Sequence, residues 1–124
     1  MAGTRFDIVT IDAVDTRALA RFWCAVLDAK IVEDEDDARW LCLAVSGGRR
    51  VLGLQRTSSE SAALRETGRA HLDLACEPKD FEGERARILS LGATETRPAR
   101  VEHYGSIANF ADLEGNLFDL CAYV

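Results

Sequence analysis

The stretch Ile107–Val124, IANFADLEGNLFDLCAYV, carries two apolar runs, Ile107–Ala111 and Leu117–Val124. They are joined by Asp112-Leu-Glu-Gly-Asn116, a turn rich in residues that tolerate left-handed backbone. Strand alternation through the second run puts Phe118 and Leu120 on one face and Asp119 and Cys121 on the other. A carboxylate in that position faces either solvent or a pocket. Whichever holds decides how the rest of the chain is read.

Working outward, the same pattern of elements occurs twice. Phe6–Ala13 alternates as a strand, and Asp15 and Thr16 offer an N-cap to a helix with Leu19, Phe22, Trp23, Val26 and Leu27 at i, i+3, i+4, i+7 and i+8. A strand starting at Lys30–Glu33, an acidic turn over Glu33–Asp37, and two strands, Trp40–Val45 and Arg50–Gln55, about Gly47-Gly48 complete the first half. Thr57–Gly68 is polar and reads as a connector with one short helical turn. The second half opens with the alternating run Ala70–Cys76. A helix follows, with Pro78 just inside its start, a thin stripe of Phe81, Ile88 and Leu89, and Gly92 as its stop. Thr94–Arg97 and the two runs of the opening stretch supply three more strands.

Two tandem βαβββ modules therefore make one α+β domain over residues 1–124, with module one near 5–57, a connector near 58–68 and module two near 69–124. Each helix must cover one face of its sheet, because an exposed stripe such as Leu19/Phe22/Trp23/Val26 is costly. The covered faces then carry Val9/Ile11, Leu52/Leu54, Leu72/Leu74 and Phe118/Leu120. The opposite faces receive Ile8, Thr10 and Asp12, then Gly53 and Gln55, His71 and Asp73, and Asp119 and Cys121. Curved mixed sheets with helices outside and polar groups inside are expected to enclose a shared ligand cavity; the alternative is a plain solvated face.

Composition narrows the function classes. The net charge of −6 argues against nucleic acid, whose phosphates would be repelled and which usually demands a basic stripe. The start MAGTRFDIVT has no signal-peptide run, and no apolar stretch is long enough to span a bilayer, so the expected location is the cytoplasm, away from membranes. Cys24, Cys42, Cys76 and Cys121 show no metal spacing and read as free thiols.

The paired modules, the run Asp15-Thr-Arg-Ala-Leu-Ala-Arg-Phe-Trp23 leading to Val26-Leu27, the strand opening at His71, and Asp112-Leu-Glu-Gly-Asn-Leu-Phe-Asp119 resemble the vicinal oxygen chelate superfamily. That superfamily includes glyoxalase I, extradiol dioxygenases, and fosfomycin and bleomycin resistance proteins, and the chain is most similar to its small bacterial glyoxalase-like domain proteins. The resemblance implies a metal held by residues of the first and last strands of each module. His71 and Asp119 match the histidine and carboxylate positions of module two, whereas Ile8 and Gly53 stand at the module-one positions and carry no ligand atom.

Gln55 shares a face with Gly53 and is the candidate third ligand beside His71 and Asp119, with Asp12 or Asp73 taking that place if the register slips. The expected cofactor is accordingly none or a divalent Zn, Ni, Fe or Mn. Without metal, His71 and Asp119 form a catalytic acid–base pair or the remnant of a lost site. Thr10, Asp12, Gln55, Asp73, His103 and Cys121 are the expected ligand-binding residues, with His103-Tyr104-Gly105 as a lip and Cys121 as a thiol nucleophile or plain packing. Trp23 and Trp40 suit stacking on an aromatic ligand, although Trp23 belongs to the helix stripe. Two functions stay open: a small-molecule-binding protein of the glyoxalase/bleomycin-resistance type with an incomplete metal site, or a metal-dependent lyase, isomerase or dioxygenase. The resemblance also implies a homodimer.

Overall fold

The computed structural model describes residue 3, residues 6–64 and residues 70–124. The chain divides between residues 65 and 66 into two compact units, and each is built in the order strand, helix, three strands.

In the first unit β1 (Val9–Ala13) is followed by α1 (Thr16–Leu27), β2 (Lys30–Glu35), β3 (Trp40–Ala44) and β4 (Arg50–Arg56). The sheet order is β1-β4-β3-β2, with β1 parallel to β4 and the other pairs antiparallel. Helix α1 starts where the sequence offers a cap: the Asp15 carboxylate accepts a hydrogen bond from Ala18 N at 3.0 Å. Its stripe of Leu19, Phe22, Trp23 and Val26 is buried, with the Phe22 and Trp23 rings edge to face at 5.2 Å. The sheet's core residues pair across strands, Leu41 with Leu54 and Leu43 with Leu52. All four are 2% exposed or less, and each such burial is worth about 2 kcal/mol.

Two local differences from expectation have clear causes. Strand β1 begins at Val9, where β4 supplies its first partner, Leu52, and Phe6 lies outside it, 81% exposed. Glu33 and Glu35 belong to β2 and only Asp36–Arg39 turn, because the Glu33 carboxylate is held from the neighbouring strands. Trp40 Nε1 donates to it at 3.0 Å, as does Arg50, and together they hold the Glu33 carboxyl below the usual range. The same indole lies over Gly53. A methyl group added there would overlap the Trp40 ring and come within 2.9 Å of Thr10 Oγ1.

Helix α2 (Ser59–Leu64) occupies the expected connector, whose residues 65–68 lie outside the described ones. The second unit then runs β5 (Leu72–Ala75), a 3-10 turn at Pro78–Asp80, α3 (Phe81–Ser90), β6 (Thr94–Glu102), β7 (Gly105–Ala111) and β8 (Leu117–Tyr123). Its sheet order, β5-β8-β7-β6 with β5 parallel to β8, repeats that of the first unit. Phe81 and Ile88 are the buried residues of α3, and Phe110 stacks on its cross-strand partner Phe118 at 5.3 Å. Arg85 fastens α3 to β6 through a two-point bond to Glu95, at 2.6 and 2.8 Å.

Strand β6 is longer than the expected Thr94–Arg97 because it continues through Pro98. As an edge strand it tolerates a residue without an N–H, and its register shifts between Arg97 and Arg100. Strand β7 starts at Gly105, where φ is +137° and a Cβ would overlap the Ala122 carbonyl. The turn before β8 is set by Asp112, 5% exposed, whose Oδ1 accepts from Glu114 N and Asn116 N, each at 2.9 Å. All four cysteines are free. No helix among the described residues is long and apolar enough to cross a membrane.

Gly53→Ala is expected to lower stability by about 1–3 kcal/mol in urea unfolding and to shift the tryptophan emission, because the Trp40 ring must move. Glu95 gives a pH signature. Its carboxyl is held below the usual range by hydrogen bonds from Arg85, so its contribution is complete above the ordinary glutamate pKa and is lost as pH falls through the lowered value. The stability gap between wild type and Glu95→Gln should therefore close on acidification, in urea unfolding followed across pH.

Candidate metal-binding cleft in the second unit

The polar groups of the second unit are aligned by strand register. His71 lies just before β5 and Asp73 within it, two residues apart and so on one face. Parallel pairing sets Asp73 beside Asp119 of β8, and antiparallel pairing sets Asp119 beside Asn109 of β7. Asn109 in turn stands beside Arg97 of β6. The result is a polar row, Asp73–Asp119–Asn109–Arg97, crossing all four strands. Arg100 reaches the same face because three residues of β6, from Arg97 to Arg100, span two of β7, from Asn109 to Ile107. The neighbouring cleft, about 340 Å³, is lined by His71, Thr96, Arg97, Arg100, Asn109, Phe110, Leu117 and Asp119.

His71 Nε2 lies 3.4 Å from Asp73 Oδ1 and 3.4 Å from Asp119 Oδ2. The three groups offer ligand atoms all within 4.8 Å of one another. Donors about 2.1 Å from one cation in a tetrahedron stand about 3.4 Å apart, the separation that His71 Nε2 keeps from each carboxylate. Two carboxylates and one imidazole are a hard-to-borderline set suited to Mn, Fe, Zn or Ni, and three protein donors leave a coordination position open. The other Asp119 oxygen, Oδ1, accepts a hydrogen bond from Asn109 Nδ2 at 2.6 Å, and Asn109 Oδ1 accepts one from Arg100 Nη1 at 2.8 Å. The Asp119 side chain is the least exposed of the three, at 16% against 49% for His71 and 59% for Asp73.

Of the expected site residues, His71, Asp73 and Asp119 come together. Asp73 stands beside them because in-register pairing of β5 with β8 places the two aspartates side by side. Gln55, Asp12 and Thr10 belong to the first unit, where Asp12 pairs with Gln55 and Thr10 with Gly53. His103 is exposed in the β6–β7 turn, its ring edge to face with Tyr104 at 5.2 Å, and it does not line this cleft. Cys121 is 3% exposed and burial pushes its thiol pKa up, which accords with the plain-packing alternative. Asn109, Arg97 and Arg100 were missed. Asn109 follows the same alternation as Asp119, but strict alternation separates Arg97 from Arg100, and the strand proline, Pro98, was the signal for the bulge that unites them.

The fold recurs in solved structures. FosX, a fosfomycin resistance protein from Mesorhizobium loti, superposes with a TM-score of 0.75 at 21% identity, covering 100% of this chain and 95% of that one. A variant of FosX from Listeria monocytogenes, complexed with Mn(II) and 1S,2S-dihydroxypropylphosphonic acid, gives 0.78 at 19% identity, covering 100% and 93%. A glyoxalase/bleomycin resistance protein/dioxygenase family enzyme from Burkholderia phytofirmans PsJN gives 0.76 at 18% identity, covering 95% and 98%. A search of curated proteins finds no match. The model of the glyoxalase-like domain family matches residues 8–121, and with tandem βαβββ units of matching topology the chain belongs to that family, within the vicinal oxygen chelate superfamily.

Proposed function

We propose that this protein binds a small anionic molecule in the cleft of the second unit, beside a divalent cation held by His71, Asp73 and Asp119. One observation carries the reading: three ligand atoms lie within 4.8 Å of one another at a cleft whose far wall presents Arg97 and Arg100. Once a dication is bound, it and the two guanidiniums outweigh the charges of Asp73, Asp119 and Glu102, and the surplus favours an oxyanion. Arg97 is exposed and its side chain makes no ion pair or hydrogen bond among the described residues, so its guanidinium donors are available to a ligand. A planar guanidinium matches a carboxylate or phosphonate at two points.

A bound cation would supply Lewis acidity toward an oxygen of the ligand and orient it. The chain's own part is to hold that cation from one side, leave the other side open, and draw the anionic end of the ligand toward β6. The Listeria FosX complex contains Mn(II) and a phosphonic acid that carries hydroxyls, a molecule of the kind this reading expects. The open coordination position suits a metal-dependent lyase, isomerase or dioxygenase. The reading includes the homodimer that the superfamily resemblance implies.

A second reading, sequestration of a ligand without metal or turnover, is favoured by Gly53. The Trp40 ring occupies the space that a ligating side chain would need there, so the first unit contributes no donor at that position.

Titration calorimetry with MnCl2, NiCl2 and ZnCl2 separates the two. One cation per chain is expected for wild type, with affinity lower by about 100-fold or more in His71→Ala and Asp119→Ala. With Mn(II) present, methylphosphonate should bind wild type and bind Arg97→Ala at least about tenfold more weakly. Wild type that takes up no cation would overturn the metal reading, and probe binding without metal would then establish the second one.

A further inference from the structure

We infer that Asn109 and Arg100 form a positioning relay that presents Asp119 to the cation through one oxygen only, Oδ2. The inference rests on the metal reading above and concerns two residues that are not donors to the cation in it.

The relay follows from donors and acceptors. Arg100 has only N–H donors, so the Asn109 atom facing its Nη1 at 2.8 Å must be the amide oxygen. The amide nitrogen is thereby turned toward Asp119 and donates to Oδ1 at 2.6 Å. No other orientation of the amide satisfies both neighbours, since a flip would set the amide oxygen against a carboxylate and N–H against a guanidinium. Arg100 is itself pinned: its Nε donates to Glu102 Oε1 at 3.1 Å and its Nη1 also reaches the Pro98 carbonyl at 3.2 Å. The chain of bonds thus runs from a fixed cation through a fixed amide to one oxygen of the carboxylate, each bond polarising the next.

Two consequences follow for Asp119. Its Oδ1 lone pairs are engaged on the Asn109 side, and Oδ2 is left toward His71 Nε2, 3.4 Å away. A carboxylate free to rotate can chelate a cation with both oxygens, which takes up the position a ligand oxygen would need. The relay keeps that position open and removes the rotational freedom that binding would otherwise have to freeze. Register explains why Asn109 can do this: it is the direct cross-strand partner of Asp119 on β7, as Asp73 is on β5.

The test is Co(II) and Mn(II) titration of wild type, Asp119→Ala, Asn109→Leu and Arg100→Leu, with Co(II) d–d absorption as the readout of coordination and thermal unfolding of the metal-free proteins as the check on folding. Asn109→Leu is near-isosteric and is expected to bind about 10- to 100-fold more weakly, with an altered Co(II) spectrum as the second Asp119 oxygen enters. Arg100→Leu discriminates further. Removing a positive charge beside a cation should tighten binding on electrostatic grounds alone, whereas the relay predicts weaker binding. If Asp119→Ala abolishes binding while Asn109→Leu keeps wild-type affinity and spectrum, the relay is overturned and the metal reading stands. If wild type binds no cation, both fall. Should Asn109→Leu fail to fold, Arg100→Leu decides: weaker binding supports the relay, and equal or tighter binding overturns it.

Discussion

The parallel pairing of β5 with β8 is the constraint on which the second unit depends. A parallel pair cannot be closed by a tight turn, so the chain must leave β5, build α3, β6 and β7, and return. Backbone hydrogen bonds then set Asp73 beside Asp119, two carboxylates whose mutual repulsion destabilises the pairing unless a partner offsets it. The compensation is at hand: an imidazole 3.4 Å from an oxygen of each, an amide on the remaining Asp119 oxygen, and room for a cation. The burial of Phe110, Phe118, Leu120 and Ile88 on the other side of the sheet holds the register that keeps these like charges together.

The first unit shows what the same frame does without that arrangement. Its β1–β4 pairing places Thr10 beside Gly53, the positions that Asp73 and Asp119 hold in the second unit. Ile8 stands where His71 stands. A hydroxyl, a hydrogen and an aliphatic chain offer nothing to a metal, and the space at Gly53 is taken by an indole anchored through Glu33 and Arg50. Two units of equal topology thus differ at the equivalent spot. One sets charged groups in a row across its strands, and the other fills the space with an aromatic ring.

Much of this was legible beforehand, and for definite reasons. The α1 stripe and its Asp15 cap are strong periodic and chemical signals, and the structure reproduces both. His71 and Asp119 were legible because alternation, repeat and resemblance agree on them. What escaped depends on register and irregularity. Asp73 was expected on the inward face as a ligand-binding residue, but its place directly beside Asp119 depends on knowing which strands are neighbours. The Glu33–Asp37 run hid the end of β2 because edge strands carry charge as readily as turns do. Arg97 and Arg100 sit three apart in a strand, a spacing that period-two reasoning sends to opposite faces until the bulge at Pro98 is taken into account.

The pairing of β5 with β8 also sets an order of events. Strands β6, β7 and β8 are consecutive and antiparallel, so their contacts are local and can form early, whereas β5 is joined to β8 only by closing a long loop that contains everything between. Asn109, Asp119 and Arg100 are therefore expected to assemble within one meander before His71 and Asp73 join them. A cation that bridges β5 and β8 would act on the slowest contact in the unit, stabilising the one pairing that the chain cannot nucleate locally. The donors that bind the ion would then also be the clasp that closes the sheet.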